Sequence, residues 1–368
     1  MRILILVARI ITGLAFIFSG TVKAIDPMGS AYKFHDYFQA FNIGFLDSLS
    51  LSLAILLCTA EFIAGFSVLT GIKFQSGIKL LMLLMIIFTP LTFILALTNP
   101  VSDCGCFGDA VKLTNWQTFW KNVLLISLAT ILFLNRKKIP GFNGNARGWM
   151  IIAAASAVFI LFSIYNLRYL PVIDFLPYKK GVKIAEQMKI PEGVAPDKYE
   201  TTFIYEKDGL KKEFNINNYP ANDTSWKFLD QKSVLIKKGY EPPVHDFVIT
   251  TMQGEDITQK ILEHEGSTLL MIVKKLDEAD DSRLRVGFEL GKHCLNNGIG
   301  FYVLTASGTD EIAKYQDGVQ FCNVDETTLK TIVRSNPGYM LLKDGTIIDK
   351  WSWACLPEKD SIIRMYGK

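Results

Sequence analysis

The sequence predicts a membrane-embedded all-α helical bundle followed by an extracytoplasmic α/β domain. Three observations carry this expectation. Five apolar stretches of about 20 residues, the length that crosses a bilayer, all fall before residue 170. Charge is divided unequally: residues 1–170 hold 13 Lys+Arg and 6 Asp+Glu, a net of +7, whereas residues 171–368 hold 26 and 30, a net of −4. From residue 243 onward, short apolar runs alternate with helical patterns, as when strands and helices layer on one sheet. Of 368 residues, 49% are hydrophobic and 20% charged. Divided in this way, they exclude a single soluble domain, a disordered chain and a small disulfide-stapled scaffold. Nucleic acid is not an expected partner, because that needs a basic patch on a soluble surface; the lipid bilayer is.

The spans run Ile3–Val22, Leu49–Leu69, Ile78–Leu97, Trp116–Leu134 and Trp149–Tyr169. Trp116, Trp120, Trp149 and Tyr169 stand at segment ends, where amphipathic rings favour the headgroup layer. Buried helices of a large soluble core would leave too little polar surface to cover them. The first stretch could instead be a cleaved signal peptide ending near Val22-Lys23-Ala24, but Arg9 interrupts it and the apolar run is long for that role. Lysine and arginine are concentrated in the second connection (Lys73, Lys79) and the fourth (Arg136, Lys137, Lys138, Arg147). The positive-inside rule therefore places those connections and the N-terminus in the cytoplasm. Five crossings then put the third connection and everything after Tyr169 outside, so the expected location is the cytoplasmic (inner) membrane with a periplasmic C-terminal domain.

The third connection reads Asn99-Pro-Val-Ser-Asp-Cys-Gly-Cys-Phe-Gly-Asp109. Cys104 and Cys106 flank Gly105, with Pro100 and Gly108 as turn residues. Outside the cytoplasm disulfides persist. Cysteines two apart approach bonding range only in a tight bend, which Gly105 permits, and a strained, exposed disulfide is the exchangeable kind. A redox-active dithiol, a structural staple and a metal site with Asp103 and Asp109 all remain open. A ring this small stabilises little, and the loop holds no histidine.

The first span, Arg9-x3-Gly13-x2-Phe16-x2-Ser19-Gly20-x2-Lys23, resembles the opening of the DoxX family of four-helix membrane proteins. The loop Cys104-Gly-Cys-Phe-Gly108 is similar to that of MauE, the methylamine-utilisation membrane protein, and Glu61-x3-Gly65 ending at Gly71 resembles the same group. The resemblance covers residues 1–135 and leaves a basic loop and fifth span at 136–170 outside it. It implies a redox-associated membrane protein, with disulfide formation in exported thiol proteins or quinone-coupled sulfur oxidation as family roles. No cofactor is evident from the residues themselves; a membrane quinone follows from the resemblance alone, and no metal is expected.

Arg9 and Glu61 are the two ionisable side chains well inside the spans. Counted from the inner ends, they lie about 9 Å and about 12 Å deep, so they are expected to pair across antiparallel helices. Intramembrane charges usually have partners or line a polar cavity, so Glu61 could also serve a proton or quinone site. Cys58, one turn away, reads as packing. Phe34, Tyr37, Phe38 and Phe41 form a helical stripe, predicting a short interfacial helix that could roof the bundle near the cysteines, with His35 a candidate to assist them.

Residues 171–240 read as a polar connection with a hairpin, Thr201–Glu206 and Lys212–Ile216 about Asp208-Gly209. Residues 241–368 predict strands at Asp246–Thr250, Thr268–Lys274, Gly300–Thr305, Met340–Lys343 and Thr346–Trp351. Helices are expected at Ile257–Glu263, Ser282–Asn296 and Glu326–Arg334, on a mostly parallel sheet. This order resembles the thioredoxin-like fold of the redoxin type, with Pro243-Val-His-Asp-Phe247 as its opening strand. The resemblance implies that Pro337, in Asn336-Pro337-Gly, is cis. Where a thioredoxin carries Cys-x-x-Cys, this chain reads Leu276-Asp-Glu-Ala-Asp-Asp-Ser282, which is good helix capping and poor thiolate chemistry. Cys294, Cys322 and Cys355 cannot all pair with one another. Cys355 is a candidate partner thiol, and burial is the plainer role for each. His245, His264 and His293 show no metal spacing.

The expected function is thiol–disulfide or electron transfer at the outer membrane face through Cys104 and Cys106, with Arg9, Glu61, Gly105 and Gly108 supporting. Exported thiol proteins or envelope redox proteins are the expected partners. The alternative is a non-enzymatic membrane scaffold whose degenerate thioredoxin-like domain binds envelope partners. A small-solute transporter is disfavoured by the scarcity of polar residues in the spans.

Overall fold

The computed structural model describes residues 2–101, 103–141, 146–195, 198–207, 210–215, 218, 220, 225–237, 239–240, 242–315 and 318–367. Its first part is helical: α1 (Arg2–Ile25), α2 (Pro27–Ala40), α3 (Ser50–Thr70), α4 (Phe74–Thr98), α5 (Asn115–Leu134) and α6 (Ala146–Tyr169). All but α2 belong to the five segments long and apolar enough to cross a membrane. Local chemistry sets their ends. Asp26 caps α2 by accepting from Gly29 N, with Pro27 in the first turn. Gly71, left-handed at φ 86°, ends α3. A Thr114–Gln117 capping box starts α5.

Small residues set the closest approach in the bundle. A Cβ on Gly20 would lie 2.6 Å from Cys58 O, and one on Gly65 would lie 2.7 Å from Gly13 O. The backbones of α1 and α3 therefore touch, as small-residue seams allow in membranes. This seam overrides the depth count that paired Arg9 with Glu61. It sets Arg9 opposite the last turn of α3, where Arg9 Nε donates to Val68 O at 2.6 Å and the guanidinium lies 5.4 Å from the Phe74 ring centroid. Glu61 faces Lys23 instead. Phe16, Ile78, Leu81, Met85, Leu125 and Leu132 fill the bundle core. α6 packs outside it, stacking Phe159 on Phe62 at 4.1 Å.

The chain then enters an α/β region through the short helix α7 (Ile184–Gln187). A three-stranded antiparallel sheet follows, of β1 (Lys198–Lys207), β2 (Leu210–Asn215) and β3 (Lys227–Lys237) in the order β2-β1-β3. The sequence signals the first two strands but not β3. The turn expected at Asp208-Gly209 lies outside the described residues. The remaining elements are β4 (Thr250–Thr251), α8 (Thr258–Leu262), β5 (Ser267–Val273), α9 (Asp281–Asn296), β6 (Gly300–Thr305), α10 (Thr309–Ile312), β7 (Gln320–Asn323), α11 (Glu326–Ile332), β8 (Gly338–Lys343), β9 (Thr346–Ser352) and α12 (Lys359–Tyr366).

The second sheet runs β4-β7-β6-β5-β8-β9. β5–β6 and β6–β7 are parallel, whereas β4–β7, β5–β8 and β8–β9 are antiparallel, so the sheet is mixed rather than mostly parallel. The terminal hairpin supplies one antiparallel edge, and the two-residue β4 supplies the other where Asp246–Thr250 was expected to form a full strand. β5 is buried along its whole length, between one core containing Phe247, Leu270 and Ile332 and another containing Met271, Phe288 and Trp351. Tyr178 and Ile184 are buried in the first core, so part of the segment read as a polar connection belongs to this domain. The Asn336–Pro337 peptide is cis.

Candidate functional site

The α4–α5 connection folds back over one end of the bundle and brings Cys104 and Cys106 together. Gly105 and Gly108 adopt φ of 62° and 52°, a region open to glycine at little cost. Gly108 N donates to Gly105 O at 3.0 Å, closing the turn, and Gly105 N donates to Asp103 Oδ1 at 2.8 Å. The two sulfurs stand 2.7 Å apart as free thiols.

Three helices tether this loop. From α1, Ser19 Oγ lies 2.8 Å from Cys106 O. From α2, Tyr37 OH donates to Cys104 O at 2.6 Å and Lys33 Nζ pairs with Asp103 at 3.0 Å. From α5, Lys121 Nζ sits 4.1 Å from the Phe107 ring centroid, a cation–π contact. The stripe on α2 thus forms the expected helix and roofs the cysteines. Burial pushes the Tyr37 phenol up, which keeps it a donor.

The thiols are unequal. The adjacent Cys106 holds the Cys104 thiol below its ordinary range, with Thr118 and Lys121 acting in the same direction against burial. Cys106 is pushed well above that range by its neighbour Cys104 and by burial. One sulfur is thereby poised as thiolate and the other as its proton-bearing partner, the division that thiol–disulfide exchange uses.

Beneath the loop lies a cavity of about 130 Å³, walled by Phe16, Met85, Phe88 and Leu125 and reached by Cys104 and Cys106. Lys23 Nζ approaches both Glu61 carboxylate oxygens at 2.8 Å, and Ser19 Oγ lies 2.8 Å from Glu61 Oε2 and 2.9 Å from Lys23 Nζ. Both ionic side chains are almost fully buried, at 9% and 2% exposure, where an unpaired charge would be prohibitive. On α4 and α5, Thr92 and Asn122 add a second polar wall, bonded to each other at 3.2 Å.

Glu61 therefore lies at the site, whereas Arg9 lies at the other end of α3. His35 pairs with Asp47 at 3.2 Å. Cys58 is buried beside Ser163, 3.9 Å away. Cys294 and Cys322 are fully buried in the two cores of the α/β domain. Cys355 is exposed, 4.0 Å from Tyr169 O at the end of α6. Among the described residues no cluster of three His, Cys, Asp or Glu side chains is placed to hold a metal ion. Sequence reasoning named Ser19 and Lys23 only within the signature of the first span and Tyr37 only within the roof stripe, and assigned none of them to the site. Ser19 and Lys23 carried a signal, being one turn apart on the face of α1 that meets Glu61.

The C-terminal domain sits at the same end of the bundle. Arg334, 8% exposed, pairs with Asp26 and Asp109, both at 2.7 Å. Ser352 Oγ donates to Arg168 O at 2.7 Å.

Among solved structures, the chain is similar to a candidate protein disulfide isomerase from Bacteroides thetaiotaomicron, at 15% identity, covering 33% of this chain and 82% of that one with a TM-score of 0.26. It is also similar to BsSco, a member of the Sco family of cytochrome c oxidase assembly proteins in which a disulfide switch was identified. That match has 14% identity and covers 33% of this chain and 90% of that one, with a TM-score of 0.27. No curated protein matches the chain. Residues 199–238, which contain most of the three-stranded sheet, match a domain of unknown function, DUF8463. Residues 1–135, from α1 to the end of α5, match the family described as methylamine utilisation protein MauE.

Proposed function

We propose that this chain is an integral-membrane thiol–disulfide redox protein whose working group is the Cys104–Cys106 dithiol, at the outer face of the cytoplasmic membrane. The observation that carries the reading is the pairing of two unequal thiols, 2.7 Å apart, over an apolar cavity within a membrane bundle. In one full cycle the loop gives up two electrons and two protons as the S–S bond forms, and recovers them when a client dithiol attacks that bond through a mixed disulfide. The client thiolate bonds to Cys106, Cys104 leaves as the more stable thiolate, and the client's second thiol resolves the mixed disulfide, returning both loop cysteines to thiols. Exported thiol proteins or envelope redox proteins are the clients.

A membrane quinone is the acceptor this reading assigns to the cavity: its volume, about 130 Å³, is close to the about 150 Å³ that holds a benzene ring, its walls are largely apolar, and Ser19, Lys23 and Asn122 are among the polar residues that face it. Phe16, Met85, Phe88 and Leu125 would hold the ring, and Ser19, Lys23 and Asn122 its oxygens. When bound, a quinone supplies a two-electron, two-proton acceptor. This chain's residues line the site with apolar side chains, hold the thiolate near Lys121 and keep a proton on Cys106.

Thiol alkylation of intact cells under oxidising and reducing conditions tests the reading. Cys104 and Cys106 are expected to exchange between protected and reactive forms, and single Cys→Ser variants to trap mixed disulfides. Loss of the phenotype in Cys104→Ser/Cys106→Ser at normal abundance supports redox exchange. An unchanged phenotype assigns the chain to a membrane scaffold, a reading favoured by the carboxylates of the Leu276–Ser282 segment, where Asp280 caps α9.

A further inference from the structure

The redox proposal leaves one buried charged cluster without a role. Arg334 lies on the segment between α11 and β8, three residues before Pro337, yet its guanidinium is bonded to the other half of the molecule. Nε donates to Asp26 Oδ2 at 2.8 Å, and Nη2 lies 2.7 Å from both Asp26 Oδ2 and Asp109 Oδ2. Nη1 donates to Lys330 O at 2.7 Å, fixing the side chain from its own domain. Asp26 caps α2, the helix that supplies Lys33 and Tyr37 to the dithiol loop. Asp109 belongs to the loop itself, three residues past Cys106. One guanidinium thus holds both the roof helix and the end of the loop, and without it two carboxylates would face each other in a poorly hydrated seam. Tyr32 lies in the same seam, with Lys274, Lys330 and Arg334 each within 5.5 Å of its ring centroid.

We infer that Arg334 is a positioning residue for the dithiol: it clasps the loop to the C-terminal domain, so that the redox state of Cys104–Cys106 and the Arg334–Asp26–Asp109 clasp depend on each other. The inference rests on the redox reading above. Joining the two sulfurs removes the Cys104 thiolate charge and draws the sulfurs together from 2.7 Å within the loop that ends at Asp109. Only Phe107 and Gly108 separate Cys106 from Asp109, so a change at the sulfurs acts close to the clasp. Linkage makes the effect reciprocal: whatever redox state the clasp favours also favours the clasp. The domain that lacks its own cysteine pair in the Leu276–Ser282 segment would in this way report the state of a pair it does not contain.

The test uses the full-length protein in nanodiscs, titrated against glutathione redox buffers, with the dithiol read by alkylation and mass shift. Arg334→Met is expected to shift the dithiol equilibrium constant by at least about fivefold, the lower end of ordinary allosteric coupling. Asp109→Asn, a milder change on the loop side, should shift it in the same direction, and Arg334→Lys should recover part of the wild-type value. Ser352→Ala, which removes a docking contact that does not touch the loop, should titrate as wild type. If the wild-type dithiol cycles while Arg334→Met and Asp109→Asn titrate like it, or if Ser352→Ala shifts as far as they do, the clasp is overturned and the redox reading stands. If the wild-type dithiol does not titrate at all, the redox reading itself fails.

Discussion

At the scale of single residues, the two thiols of the loop are held in unequal surroundings. Cys104 is held below, and Cys106 above, the ordinary thiol range, so their alkylation should separate with pH. An ordinary thiol gains reactivity as pH rises through about 8.5. A thiol with a lowered pKa loses its thiolate only at more acidic pH, so Cys104 should stay reactive toward iodoacetamide below that point, while Cys106 should need a more alkaline solution. Cys106→Ala removes the neighbour that lowers Cys104 and should move the Cys104 profile back toward the ordinary value. Superimposed profiles for the two cysteines would refute this assignment. The cysteines, Gly105 and Gly108 were legible in the sequence because turn chemistry and sulfur are local signals. Lys23 was not: it lies just past the apolar run, so a hydropathy boundary at Val22 assigned it to water, whereas the helix continues to Ile25 and carries it into the bundle to meet Glu61.

Among elements, the α1–α3 seam sets the register on which the site depends. Ser19 and Lys23 reach Glu61 only because Gly13, Gly20 and Gly65 let two backbones meet. Gly65→Val places side-chain atoms against Gly13 O and Ile17 N, and since backbone cannot yield as a side chain does, its cost should reach or exceed the upper end of the usual about 1–3 kcal/mol for overpacking. Thermal unfolding in detergent, compared with Gly65→Ala, measures it; equal melting temperatures for Gly65→Val and the wild type would contradict the seam. Helix α2 was readable from its aromatic stripe, α5 from its apolar length, and α9 from its helical pattern and acidic, capping start. β3, β7 and α12 were not read: their placement depends on pairing with β1, β6 and α9, partners far away in sequence. The same distance explains the mixed sheet, because direction is a property of a strand pair and leaves no trace in one strand's residues.

For the molecule as a whole, an odd number of crossings puts the C-terminal domain at the dithiol end, and Arg334 and Ser352 show the two in contact. Cys355, exposed at that end, is a natural reporter of sidedness. A membrane-impermeant maleimide added to intact spheroplasts is expected to label it, and labelling only after lysis would reverse the orientation. The two-part architecture was legible because hydropathy and charge divide the chain so unevenly. The docking was not, since Asp26, Asp109 and Arg334 are unremarkable as isolated letters. The sixth helix carries a further consequence. It ties the domain to the bundle, which makes their docking an intramolecular event at an effective concentration of the order of millimolar. An interface too weak to hold two separate proteins together can then stay closed between two halves of one chain.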